Sequence, residues 1–305
     1  MGEKKKSNKL IIVAAVIVVA VIATILLVLF LRAKEDVYRL LKIYEFDGKA
    51  SVTRESLGQI EPYQNMVLES GDDIKLDTGK LTIRADEDKY IYLEDGTEIK
   101  LSATGDAANS KTKIELISGA ITNDIQNKLS KDSSYEINTP NSTMSVRGTI
   151  YRVWIYEENG IKYTKVTVFE GEVATRLVYN DGTVSDKEVA VTKGKEVLIY
   201  EDGTTTDYVG EPKDIDFSEL PESVLNLLKK KIEEDRDIPI TKEDIDQILN
   251  GPFKVNFMYN SKVFGSQTVE KGNKATVPSL APAPNGGWDF DFSTPIEKDT
   301  VIEWK

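Results

Sequence analysis

Glu157-Glu158, Asp86-Glu87-Asp88 and the alternating pair Asp289 and Asp291 are the closely spaced carboxylates of this 305-residue sequence. Paired carboxylates can divide acid and base work on a glycosidic bond, or hold a hard cation through their oxygens. Each of these groups lies in or beside a turn signal, where charge is ordinarily just solvated. The segment DRDIPITKEDID at residues 235 to 246 has the acidic spacing of a calcium loop, but the glycine needed at its sixth position is absent. Histidine and cysteine are absent altogether. That removes imidazole catalysis, the usual triads, thiol chemistry, thiolate metal sites and disulfides. The chain therefore reads as non-enzymatic, with no catalytic residue, metal or cofactor assigned.

Arg147-Gly148-Thr149 is the remaining site-like motif. Before it stands NTPNS at 138 to 142, where Pro fixes φ and Asn and Ser bond their own backbone. After it, Thr149 to Ile155 is β-branched and aromatic, which predicts a strand. An arginine at such a junction could contact a ligand, supply a catalytic charge or bolt two loops together, because its planar fork carries five donors.

The elements that must position these residues begin with an apolar run. Leu10 to Leu31 reads LIIVAAVIVVAVIATILLVLFL, with no charge and only Thr24 polar. A helix of that length is about 33 Å long, against about 30 Å for a bilayer core. The run ends in Phe30-Leu31-Arg32 rather than at a small-residue cleavage site, so residues 10–32 are expected to form an uncleaved transmembrane signal anchor. Lys4, Lys5, Lys6 and Lys9 precede it, and the positive-inside rule puts residues 1–9 in the cytoplasm. The bulk of the chain is then extracellular, on a single-pass protein of the cell membrane. A net charge of −12, with 30 % of residues charged, argues against nucleic acid as a partner.

Residues 37–210 read as an all-β domain of stacked hairpins, either sandwich or solenoid. Asp-Gly-Thr recurs at 95–97, 181–183 and 202–204, and Asn159-Gly160 joins TIYRVWIY to IKYTKVTVF. Both dipeptides signal two-residue hairpins. Gly119, Gly171 and Gly194 stand at strand ends and read as bulges or positive-φ turns.

Helical periodicity takes over at 218–250. Ser218 is the expected cap, Pro221 lies in the first turn, and Val224, Leu225, Leu228 and Ile232 form an apolar stripe. Thr241 caps a second helix that Gly251-Pro252 ends. This connector is expected to pack on the β domain, since so short a helix is marginal alone. Strands return over 252–305, a unit just large enough to fold by itself, with Trp288 and Trp304 as its expected core.

Several of these stretches, in this order, carry a family resemblance. Leu93 to Leu101, IELISGAI at 114–121, YEINTP at 135–140, SVRGTIYRV at 145–153, KVTVFEGEV at 165–173 and GKEVLIYEDG at 194–203 resemble the FecR-type domain of bacterial envelope proteins. VNFMYNSKVFGSQTVEKGNKATVPSLAP and WDFDFSTPIEKDTVIEWK resemble an internalin-type B-repeat, with its middle compressed to PNGGWDF. The second resemblance implies a small β-grasp-like unit on a bacterial surface. The first places Arg147, Gly148 and Thr149 at a recurring structural junction with Glu170 and Gly171. Arg147 is expected to act as a bolt there, with Glu170 as its partner across the hairpin.

FecR-type proteins pass a surface signal to a sigma factor through a helical cytoplasmic domain. Residues 1–9 are too few for one, so direct sigma-factor control does not carry over. The expected function is a membrane-anchored cell-surface protein whose two β units are binding or scaffold modules for a protein or cell-wall polymer partner, with self-association open. The alternative is a FecR-like transmembrane signalling regulator acting through another membrane protein.

Overall fold

The computed structural model describes residues 24, 40–106, 109–146, 148–200 and 209–305. Residues 1–9, the expected span at 10–32 apart from Thr24, and the Asp202-Gly203 turn lie outside them. Among the described residues no helix is long and apolar enough to cross a membrane.

The protein is mainly β. Its larger sheet comprises β1 (Leu41–Arg54), β2 (Gly58–Ile60), β3 (Asp73–Ala85), β4 (Lys89–Leu93), β5 (Thr97–Thr104), β6 (Lys111–Ile125), β7 (Ser134–Thr139), β8 (Ser142–Val146), β9 (Ile150–Glu158), β10 (Ile161–Glu170), β11 (Glu172–Val178), β12 (Val184–Thr192), β13 (Lys195–Tyr200) and β14 (Lys213–Asp214). All of these pairings are antiparallel except that of β6 with β7.

The sheet folds back on itself because its long strands run through two layers. The first half of β6 pairs with β5 and β7, and its second half with β4 and β9. In the same way β3 pairs with β5 at Asp73 to Leu76 and with β4 at Leu81 to Ala85, while β1 follows it almost throughout. The inner faces meet in one core. Ile74, Ile99, Ile114, Met144 and Val173 come from one layer, and Ile83, Ile91, Ile121, Tyr151 and Val166 from the other. The domain is thus a two-layer sandwich, the first of the two architectures the sequence leaves open.

Crossing between layers shifts the phase of the side chains. Inward residues are Ile114 and Leu116 before the corner in β6 and Ile121 and Ile125 after it, an even-to-odd switch. The switch recurs in β3, from Ile74 and Leu76 to Leu81 and Ile83, and again from β8 to β9 and from β10 to β11. Alternation has a period of two, so an extra residue is needed to keep the apolar face inward through the bend. The corners carry Gly79, Gly119, Gly148 and Gly171, with φ of +103°, +77°, +73° and +80°. A side chain is strained there, and glycine is not.

Asn159-Gly160 is a two-residue hairpin tip with φ of +53° and +79°, joining Glu158 to Ile161. Asp181-Gly182 lies in the β11–β12 connection. Asp95-Gly96 departs from expectation: β4 and β5 do not pair with each other, and each lies between β3 and β6. The positive φ of Gly96, +72°, serves a corner between layers instead of a hairpin.

Two helices cover the outer face of the β4–β6–β9–β10 layer: α1 (Glu222–Glu233) and α2 (Lys242–Asn250). Val224, Leu225 and Leu228 of α1 and Ile245 of α2 pack with Ile150 and Phe169 of the sheet. Thr241 caps α2 as expected, its Oγ1 accepting from Asp244 N at 3.1 Å. Ser218 does not cap α1. It sits in a 3₁₀ turn, Phe217–Glu219, where its own N–H donates to Asp216 Oδ1, and Pro221 takes the cap position of α1.

The C-terminal unit is a separate three-stranded sheet of β15 (Phe253–Tyr259), β16 (Lys262–Val269) and β17 (Thr300–Glu303), ordered β16-β15-β17. Its core holds Phe253, Val255, Phe257, Ile296 and Ile302, with Trp288 packed against it and edge-on to Trp304.

Candidate functional site

Beside the Ile150 and Phe169 contact, the outer face near α1 carries a polar row. Strand register aligns Thr82, Tyr92, Thr122, Arg152, Thr167 and Glu196 in one row across β3, β4, β6, β9, β10 and β13. Arg152 makes a bidentate pair with Glu94, Nε to Oε1 at 2.7 Å and Nη2 to Oε2 at 2.8 Å, and its guanidinium also stands over the Trp154 ring. Glu196 is fully buried and lies 3.0 Å from Lys165 and 3.3 Å from Lys213. The Oγ1 atoms of Thr82, Thr122 and Thr167 make no hydrogen bond among the described residues.

Beside this row, charges hold the helices to the sheet. Asp124 of β6 faces Lys231 of α1 at 2.7 Å and Arg236, just past α1, at 3.1 Å. Arg236 Nε also donates to Glu170 Oε2 at 2.8 Å, and Lys231 Nζ to Glu234 Oε2 at 2.8 Å. Burial works against the Lys231 ammonium, but the hydrogen bonds to Asp124 and Glu234 outweigh it and raise the pKa above the ordinary lysine value. The same balance, with Glu170 and Asp124 as partners, raises that of Arg236. Burial also raises the Tyr92 phenol, which stays neutral.

Between the row and α1 opens a cleft of about 770 Å³. Lys80, Thr82, Tyr92, Glu94, Asp95 and Thr122 line the sheet side, and Pro221, Ser223, Asn226, Leu227 and Lys230 the helix side. It has the size of a small-ligand site.

Of the motif residues, Glu170 joins this network through Arg236. Arg147 lies outside the described residues. Gly148 and Thr149 form the corner that meets Gly171: a Cβ on Gly171 would stand 2.5 Å from Thr149 Cγ2 and 2.8 Å from the Gly148 carbonyl oxygen. Glu170, the expected partner of Arg147, pairs with Arg236 among the described residues. The corner at Gly119 repeats this arrangement against Gly96 and Thr97, and the two glycines are 23 positions apart in each case.

The other carboxylates are dispersed. Asp86 and Asp88 of the β3–β4 turn both pair with Lys89, and Glu157 and Glu158 end β9 in solvent. Asp289 pairs with Lys305, and Asp291 accepts from the Ser293 N–H. The DRDIPITKEDID segment connects α1 to α2 and supplies Arg236 to the buried network.

Asp124, Lys231 and Arg236 are absent from the sequence-based candidates. One signal does exist for Lys231. It stands seven residues after Val224 and three after Leu228, on the apolar stripe, so a helix docked by that stripe must bury an ammonium.

Residues 72–174 match the protein family described as FecR protein, and this segment is a FecR-type domain. Two crystal structures of a presumptive anti-sigma factor from Parabacteroides distasonis ATCC 8503 are similar to the chain. One has 12 % identity over 65 % of this chain and 83 % of the other, and the second 10 % over 76 % and 98 %. The TM-score is 0.38 in both cases. No curated protein matches the chain.

Proposed function

We propose that this chain is a non-enzymatic regulator of the FecR type that works through contact with another protein. The match of residues 72–174 to that family carries the reading and favours regulation over a purely adhesive or scaffolding role. The expected anchor at 10–32 would hold the domain outside the cell membrane, so its partner would be a second membrane protein. The helical connector is the natural element to report a change in the domain, because buried ion pairs tie it to the sheet.

The test is chemical crosslinking of the tagged full chain in native membranes, with transcript profiling of a deletion strain. A regulator gives one dominant membrane partner and a transcript set restored by the intact gene. Unchanged transcripts with no partner would end the proposal.

A scaffolding role remains the second reading, favoured by the C-terminal unit. Its resemblance to a B-repeat stands beside exposed apolar side chains at Val263, Leu280 and Val301. Protease added to intact protoplasts should remove the chain beyond about residue 40. Protection of the Trp304 end would refute the extracellular placement.

A further inference from the structure

We propose that the cleft between α1 and the sheet is a binding site for a neutral, polyhydroxylated ligand, a short saccharide. Its floor holds the triplet Thr82–Tyr92–Thr122 on three adjacent strands. Strands lie about 4.8 Å apart, so the two threonines stand about 10 Å apart with an aromatic ring between them. Both threonines are 1 % exposed and both hydroxyls lack partners among the described residues. Leaving buried hydroxyls unmatched is unfavourable, and a ligand with hydroxyls of its own could donate to them and accept from them.

The charges select a neutral ligand. Glu45, Glu94 and Asp95 line the cleft, and Lys80, Lys230 and Arg152 offset them. Lys80 stands 2.8 Å from Glu45, and Arg152 holds Glu94 by two bonds. Asp95 Oδ1 accepts from the Gly79 N–H at 2.8 Å. An anion would face these carboxylates, and a cation would face the Lys80 and Lys230 ammonium groups.

The sheet wall also argues against an extended peptide. Along the cleft β3 is paired to β1 and β4, and β4 to β3 and β6, so no free strand edge is available for a peptide to extend. Leu227, Val224 and Pro221 supply apolar surface for the carbon–hydrogen faces of sugar rings.

The test is saturation-transfer NMR of the full chain with a panel of neutral oligosaccharides built from glucose, galactose and N-acetylglucosamine. At least one member should bind, and a polyuronate should not. Thr122→Val keeps the shape and removes one hydroxyl, so the dissociation constant should rise about 3- to 10-fold. Asn226→Trp, at the exposed mouth, should abolish binding without touching either core. Failure of the whole panel, equal or better binding of the polyuronate, or undiminished binding by Asn226→Trp would each overturn the proposal. A Thr122→Val protein that melts like the parent and binds like it would do so too. None of these outcomes depends on whether the chain regulates transcription.

Discussion

Lys231 of α1 and Asp124 of β6 form an ion pair of 2.7 Å although their side chains are only 3 % and 0 % exposed. A charge so placed is tolerable only with its partner. Lys231→Met should therefore destabilise the protein by about 3–5 kcal/mol, and Lys231→Met with Asp124→Leu should recover a large part of that loss. Thermal melts measure both. A double variant no more stable than the single one would show that the pair does not hold the helix.

The same lysine sets the alkaline limit of this interface. Its folded pKa is raised above the unfolded one, so its contribution is complete below about pH 10 and fades only as pH climbs through the folded value. Hydrogen exchange of α1 amides should show protection, after correction for intrinsic rates, that is flat from pH 7 to about pH 10. Lost protection near pH 8 would contradict the pairing.

Acid should also loosen the segment leading into α1. Asp216 caps the 3₁₀ turn, and the Ser218 hydroxyl, against some burial and with help from the Ser218 N–H, holds its pKa below the ordinary value. A depressed carboxylate contributes stability above its unfolded pKa of about 4 and loses it as pH falls through the folded value. Asp216→Asn should therefore lower the melting temperature at pH 7 but close the gap to the parent as the pH drops below about 4. A constant gap across that range would rule out the carboxylate as its source.

The corners make a second kind of demand. Gly171→Ala must place a Cβ against Thr149 and the Gly148 carbonyl at φ +80°, whereas Gly160→Ala at φ +79° meets open space. The hairpin variant should cost about 1–2 kcal/mol and the corner variant about 1–3 kcal/mol more. Urea melts of the two should differ in midpoint. Equal losses would mean that the corner relaxes freely.

Residues 252–305 have a core separate from that of the sandwich. Expressed alone, this segment should show dispersed amide resonances and a cooperative thermal transition. A collapsed, undispersed spectrum would show that it leans on α2, whose Leu249 carbonyl accepts from Lys271.

The β character, the hairpin at Asn159-Gly160, the stripe on α1 and the Thr241 cap were legible because each rests on local periodicity or turn chemistry. Ser218 misled because a serine before a proline resembles a helix cap, while Asp216 two residues earlier captured its N–H. Asp95-Gly96 misled because the dipeptide reports only a positive φ, and both a hairpin and a corner need one. The polar row and the partners of Lys231 were not legible. Asp124 lies 107 residues from Lys231, and only the register of six strands brings Thr82 into line with Glu196. The phase change at Gly119 was visible as broken alternation, but its meaning depends on knowing that β6 serves two layers.

Those corners also bear on how genes of this kind can change length. One codon gained or lost between Ser118 and Ala120 would turn Ile121 and Ile125 outward and Thr122 and Asp124 inward. β4 and β9 would then face the wrong partners on both sides. At Asn159-Gly160 the same event would only lengthen a loop in solvent, because both residues are exposed. Drift in the family should thus accumulate insertions at hairpin tips while corner spacing, such as the 23 positions from Gly148 to Gly171, stays fixed like a reading frame.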